Sequence, residues 1–211
     1  RESYTYDAPT VLPSPWSTTM YSLLGEYQWD ISQQWLLILG GRFDQHSYTD
    51  EMFSPRAALI YKINYRDTLK FLVSQSQRTN NATEMRNTYL NDGSNSDTEE
   101  ITNYEIRWER EQSKNLSWGL STYYHDMELL AYNENESRST IVGEQTIFGA
   151  DLEIKYWTEQ LQLWLSHGYS KLDQLKLAEG VDRSLSSSAP NGYGDDLANW
   201  SNHITKLAMI Y

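Results

Sequence analysis

The feature that most constrains this chain is a two-residue alternation of apolar and polar side chains, repeated in short runs. Leu69, Phe71 and Val73 alternate with Lys70, Ser74 and Ser76. Tyr104, Ile106 and Trp108 interleave with Asn103, Glu105, Arg107 and Glu109. Phe148, Ala150, Leu152, Ile154 and Tyr156 interleave with Gly149, Asp151, Glu153 and Lys155. Successive side chains of a strand point to opposite sides, so this spacing predicts half-buried antiparallel strands with one apolar and one charged face. No run has the makings of a core helix. In a soluble sandwich the charged face would meet water. In a membrane barrel it would line a wet lumen, and the apolar, aromatic-ended face would meet lipid.

Composition weighs between these two. Hydrophobic residues make up 39% of the 211, and the aromatic set holds 16 Tyr and 8 Trp against 4 Phe. Rings with a polar handle suit a boundary between apolar and wet surroundings better than a dry core. The longest aliphatic run, Trp35 to Leu39, falls far short of the roughly 20 residues of a spanning helix. A membrane reading therefore requires strands closed into a barrel, where every backbone group is satisfied. The net charge of −12 argues against a nucleic-acid partner. The absence of Cys excludes disulfides and thiolate metal sites. The chain opens on Arg1 with no apolar leader behind it, and it is expected to be an internal piece of a longer protein.

After a Pro-rich polar stretch (1–16), nine runs are predicted as strands: 18–30, 34–46, 53–64, 68–77, 101–112, 115–131, 145–158, 161–177 and 201–211. Short turns join them at one end. The connections at the other end, 47–52, 78–100, 132–144 and 178–200, are mostly long and rich in Asn, Ser, Asp and Gly. Periplasmic turns opposed to extracellular loops describe an outer-membrane barrel. Trp29, Trp35, Tyr61, Tyr65, Trp108, Trp118, Tyr156 and Trp157 cluster near the turn ends, where an aromatic girdle belongs. Single-chain bacterial barrels have even strand counts, so nine runs point to part of a larger barrel.

Several stretches resemble, in order, strands of the TonB-dependent outer-membrane receptors. These are Leu39-Gly40-Gly41-Arg42-Phe43-Asp44, Phe53-Ser54-Pro55-Arg56 running on to Tyr61, Thr68-Leu69-Lys70-Phe71, Ser76-Gln77-Arg78 with Glu84, Glu99-Glu100-Ile101-Thr102-Asn103-Tyr104-Glu105 with Trp108-Glu109, Val142-Gly143-Glu144 running on to Asp151, and Asn202-His203-Ile204-Thr205-Lys206-Leu207. Asn80 and Thr98 stand where that family usually has Pro. The resemblance implies an all-β chain, part of a 22-stranded antiparallel barrel with a plugged lumen. It makes 1–211 an incomplete barrel domain, with the plug domain and the final strands lying outside it. It also implies a receptor of the Gram-negative outer membrane that imports a scarce nutrient, an iron–siderophore complex being the first choice. The expected partners are outer-membrane lipid, the protein's own plug, the TonB energy-coupling protein acting through that plug, and a small iron chelate. The alternatives are a passive outer-membrane channel and a soluble β-sandwich binding module.

Two groups of residues are candidates for function. Arg42, Asp44, Arg56, Lys70, Glu105, Arg107, Asp151 and Glu153, with Glu26, Asp30, Lys62, Glu109 and Lys155, are expected to face the lumen. Their mixed signs suit contact with a plug better than an ion-selective pore, though solvation of a wet wall would use the same residues. Tyr48, Tyr89, Tyr132, Tyr193 and Trp200, with Arg78, Arg86, Arg138 and Arg183, lie on the outer connections. Their rings could stack on a chelate and their guanidinium groups could pair with its negative charge. His46, His125, His167 and His203 form no ligand pair along the sequence, and the acidic loop 91–99 lacks the spacing of a calcium loop, so no metal site and no cofactor are expected. There is no nucleophile elbow, Ser/His/Asp arrangement or phosphate loop to suggest an enzyme.

Overall fold

The computed structural model describes residues 17–133, 138–181, 196 and 201–211. Nine strands form one antiparallel sheet: β1 (Met20–Asp30), β2 (Trp35–His46), β3 (Met52–Lys62), β4 (Asp67–Arg78), β5 (Glu99–Ser113), β6 (Leu116–Asn133), β7 (Arg138–Trp157), β8 (Gln162–Leu177) and β9 (His203–Ile210). Each strand pairs with its neighbour in sequence, so the spatial order is β1 through β9. Among the described residues there is no second sheet, which leaves the β-sandwich alternative without its other half. No helix is long and apolar enough to cross a membrane.

Register carries the two faces across the whole sheet. Lys70 pairs with Arg107, Arg107 with Ser121, Ser121 with Asp151, and Asp151 with Gly168. One step along, Leu69 pairs with Trp108, Trp108 with Leu120, and Leu120 with Leu152. All thirteen charges expected on one face share it, because residues directly opposite in a sheet point to the same side. The other face has nothing of the protein over it: Leu23 is 75% exposed, Phe53 55% and Ile106 49%.

Aromatic rings bound that bare face at both ends. At the turn end, Trp35 stacks on Tyr61 with centroids 4.2 Å apart, and Trp108 meets Trp118 edge-on at 4.7 Å. At the other end, Phe43 pairs with Phe53, and Tyr104, Tyr124 and Phe148 follow one another across β5, β6 and β7. The sequence reading anticipated the first row only. Between the rows the strands carry Leu, Ile, Val and Ala on this face, as a lipid-facing band requires.

The short turns are fixed by their own side chains. Ser32 Oγ accepts from the Gln34 and Trp35 amides, Asn64 Oδ1 from those of Arg66 and Asp67, Ser113 Oγ from that of Asn115, and Thr158 Oγ1 from those of Gln160 and Leu161. Each polar residue thus closes a tight turn by satisfying amides the ladder leaves free.

Two outer connections differ from expectation. Within 78–100 a helix, α1 (Ala82–Asp92), forms between two caps: Asn81 Oδ1 accepts from the Thr83 and Glu84 amides, and Gly93 (φ 75°) donates its amide to Tyr89 O. The connection expected over 132–144 is mostly strand, since β6 runs to Asn133 and β7 begins at Arg138, with those two residues paired. The hairpin extends the sheet outward instead of opening into a loop.

Candidate functional site

On the charged face, an ion-pair ladder crosses β4, β5 and β7. Lys70 Nζ lies 2.7 Å from Glu109 Oε2, Arg107 Nε 2.8 Å from Glu109 Oε1, and Arg107 Nη2 2.6 Å from Glu153 Oε2. Arg107 Nη1 also donates to Ser121 Oγ at 3.0 Å. On the β1–β3 side, Arg42 Nε pairs with Asp44 at 2.7 Å, and Arg56 Nη2 reaches Glu26 at 2.5 Å. Among the described residues Glu105 and Asp151 have no ion-pair partner, which leaves two carboxylates on this wall for a donor from outside it.

The long reaches depend on glycine. Strands two apart are roughly 10 Å from each other, so a side chain bridging them must lie flat over the strand between. Arg107 of β5 lies over Gly119 of β6 to meet Glu153 of β7; a Cβ at Gly119 would stand 2.8 Å from Arg107 Nη2. Arg56 lies against Gly40 of β2, with Arg56 Nε 2.7 Å from where a Cβ would be. Tyr123 lies over Gly149 and donates its hydroxyl to Tyr169 O at 3.4 Å. Shallow grooves flank the ladder, one lined by Arg107, Glu109, Glu153 and Lys155, the other by Glu105, Tyr123, Asp151 and Lys206.

This face is not uniformly polar. Leu36, Ile38, Ala58, Ile60 and Leu72 share it and meet across β2, β3 and β4: Leu36 pairs with Ile60, Ile38 with Ala58, and Ala58 with Leu72. The sequence reading missed this island because Trp35–Leu39 is apolar on both faces.

At the long-connection end the expected ligand residues separate. Tyr48 and Tyr89 come together, centroids 4.9 Å apart and edge to face, with the His46 ring 6.3 Å from Tyr48. Arg78 is committed to an ion pair with Glu99, its cross-strand neighbour. Tyr132 lies in β6 opposite Ser139, and Tyr193 and Trp200 fall outside the described residues. The Tyr48–Tyr89 pair stands on the most buried part of the molecule. Thr49 bridges to Ser96, whose amide donates to Tyr48 O at 2.9 Å. Ser139 donates its amide to Thr88 Oγ1 at 3.1 Å, and Asn80 Nδ2 donates to Ser139 Oγ. Thr88, Ser96 and Ser139 are at most 1% exposed, with Met52 and Met85 buried as well. The signals for this cap were Asn81, the Glu84 three residues on and Gly93, which together bracket a helix. Within the acidic loop, Asn95 donates to Asp50 and Asp97 accepts from the Ile141 amide, so its side chains hold neighbouring loops. No group of three or more His, Asp or Glu suited to a metal ion occurs among the described residues.

The family model for the β-barrel of TonB-dependent receptor-like proteins matches residues 1–211. A comparison with curated protein sequences gives no match. Among solved structures, the sheet is similar to the ferric-catecholate import receptor Fiu from E. coli K12 (TM-score 0.69, 12% identity, 91% of this chain and 32% of that one). It is also similar to the siderophore receptor PiuA from Acinetobacter baumannii (0.68, 15%, 91% and 31%). A third is the ferripyoverdine receptor of the Pseudomonas aeruginosa outer membrane (0.65, 14%, 91% and 26%). The chain spans about a third or less of the length of these receptors.

Proposed function

This chain belongs to the TonB-dependent receptor β-barrel family of the Gram-negative outer membrane, and from that footing we propose that it is one arc of the wall of a plugged, energy-coupled importer. The observation that carries the reading is the charged face itself. It combines ion pairs of both signs, two unpaired carboxylates and an apolar island. A water-filled pore has no use for Leu36, Ile38, Ile60 and Leu72 on its lumen side, where they stay half-exposed. A folded plug would cover the island and supply donors to Glu105 and Asp151, and polar contacts of this kind can be exchanged for water when the plug moves. In this reading Arg42, Asp44, Arg56, Lys70, Arg107 and Glu153 line the lumen, and the TonB protein acts on them only through the plug.

We infer an iron–siderophore complex as the cargo, because the similar structures named above are receptors for ferric-catecholate, siderophore and ferripyoverdine ligands. Tyr48 and Tyr89 would offer it ring faces, while Arg78, already neutralised by Glu99, would contribute little charge.

Uptake of radiolabelled ferric siderophore by cells carrying the full-length gene tests both levels. An importer accumulates label against a gradient, and dissipating the proton gradient or deleting the plug stops it. A passive channel would be indifferent to both. Exchanging 78–100, 132–144 and 178–200 with those of a relative of different ligand should move specificity with the loops. Specificity that stayed behind would take the ligand role from Tyr48 and Tyr89.

A further inference from the structure

The apolar face carries one polar interruption. Across β8 and β9, His167, Thr205 and His203 occupy outward positions: His167 is opposite Leu152 on one side and Thr205 on the other, and His203 is opposite Tyr169. Neighbouring positions on this face are Ala150, Leu152, Ile154, Leu165 and Leu207. Polar side chains facing lipid are costly, and three together call for a reason.

Their geometry supplies one. His167 Nε2 and His203 Nδ1 lie 3.4 Å apart, with the ring planes tilted by 32°. Two nitrogens bound at 2.0–2.1 Å to a tetrahedral ion are themselves about 3.3–3.4 Å apart. The other ring nitrogen of His167, Nδ1, is 2.8 Å from Thr205 Oγ1. When Nδ1–H donates to that hydroxyl, Nε2 is left as the lone pair. A metal-binding histidine needs this tautomer, held by an outer partner. Tyr169 packs on His203 at 4.8 Å and on Phe148 at 6.0 Å, which fixes the His203 ring and sets the pair at the outer aromatic row, within reach of water.

We propose that His167 and His203 form a two-histidine site for a divalent first-row transition ion, zinc or copper, that clips β9 to β8 on the outer surface of the wall. Thr205 is its positioning residue, and the remaining coordination positions are open to water. The pairing is invisible along the chain, since the two histidines lie on different strands 36 residues apart.

The test is Cu2+ binding to the full-length, tag-free receptor in detergent, followed by electron paramagnetic resonance and competed with Zn2+. Wild type should bind one more Cu2+ equivalent than His167→Gln or His203→Gln, with nitrogen splitting from two imidazoles that Zn2+ abolishes. His46→Gln and His125→Gln should keep that equivalent. Thr205→Val should weaken it about 10–100-fold while preserving the two-nitrogen signature. Heat-modifiable migration on gels establishes that each variant is folded. Equal stoichiometry and spectrum in folded His203→Gln would overturn the site and leave an ordinary histidine–histidine hydrogen bond. Unchanged affinity in Thr205→Val would remove Thr205 from it.

Discussion

Replacing Leu152 by Arg tests the assignment of faces most directly. Leu152 lies four residues from Phe148 and four from Tyr156 on the apolar face of β7, between Leu120 and His167. At about 3.3 Å per residue and a tilt near 40°, each aromatic row lies roughly 10 Å away in depth, which puts Leu152 close to the middle of the apolar band. A guanidinium there should cost about 2–4 kcal/mol, falling to about 0–1 kcal/mol near the interface. Thr146→Arg, two residues outward of Phe148, is the interfacial control. Glu153→Ala is the control for the other face: Arg107 keeps its 2.8 Å pair with Glu109, so under about 1 kcal/mol should be lost. The assay is reversible folding of the full-length receptor into lipid vesicles across a urea series. If Leu152→Arg cost nothing and Glu153→Ala cost several kcal/mol, the faces would be inverted, because a one-residue register slip turns every side chain over.

Other outcomes follow from close contacts. Gly149→Ala should destabilise by about 1–3 kcal/mol, because its Cβ would stand 2.4 Å from the Tyr169 carbonyl oxygen of the next strand; Gly119→Ala should cost clearly less, since only the Arg107 guanidinium must swing aside, and thermal unfolding of both ranks them. Asn81→Ala should remove about 1 kcal/mol from α1 by orphaning the Thr83 and Glu84 amides, seen as faster protease cleavage within 79–98 on intact cells. Asp67, 7% exposed, accepts from Asn64 Nδ2 at 2.9 Å and Trp108 Nε1 at 3.1 Å, so Asp67→Ala should cost about 1–3 kcal/mol in the same vesicle assay. An unchanged midpoint there would mean that water replaces the carboxylate at the membrane boundary.

The strands were legible because membrane walls leave period-two patterns unusually clean. Both faces meet a uniform medium, lipid or water, so Phe148–Tyr156 alternates without the exceptions a jigsaw core imposes. The turns were legible in place though not in mechanism: Ser32, Asn64, Ser113 and Thr158 read as ordinary loop polarity until their hydroxyl and amide oxygens are seen accepting from the next amides. What composition hid was structure made of polar residues. Residues 82–92 hold Thr, Glu, Arg, Asn and Asp in a stretch that looks like a solvated loop, yet Thr88, Ser96 and Ser139 are the most buried side chains described. Their burial is met by hydrogen bonds between connections far apart in sequence, which no local pattern encodes.

The ligand residues show the same limit from the other side. Tyr48 and Arg78 looked equivalent as exposed, ring- or charge-bearing loop groups. Register separates them, since Arg78 falls opposite Glu99 and spends its charge there, while Tyr48 is carried by the Thr49–Ser96 bridge onto Tyr89. A pair held by buried contacts loses little conformational entropy when a flat ligand stacks on it, and that preorganisation favours binding more than ring number does. The charged wall below works on the opposite principle. Its ion pairs are half-exposed, so each is weak alone, and a plug can leave them one by one without crossing a single large barrier. Rigid capture at the rim and a labile wall beneath it are what a gate that must hold its cargo and then open requires.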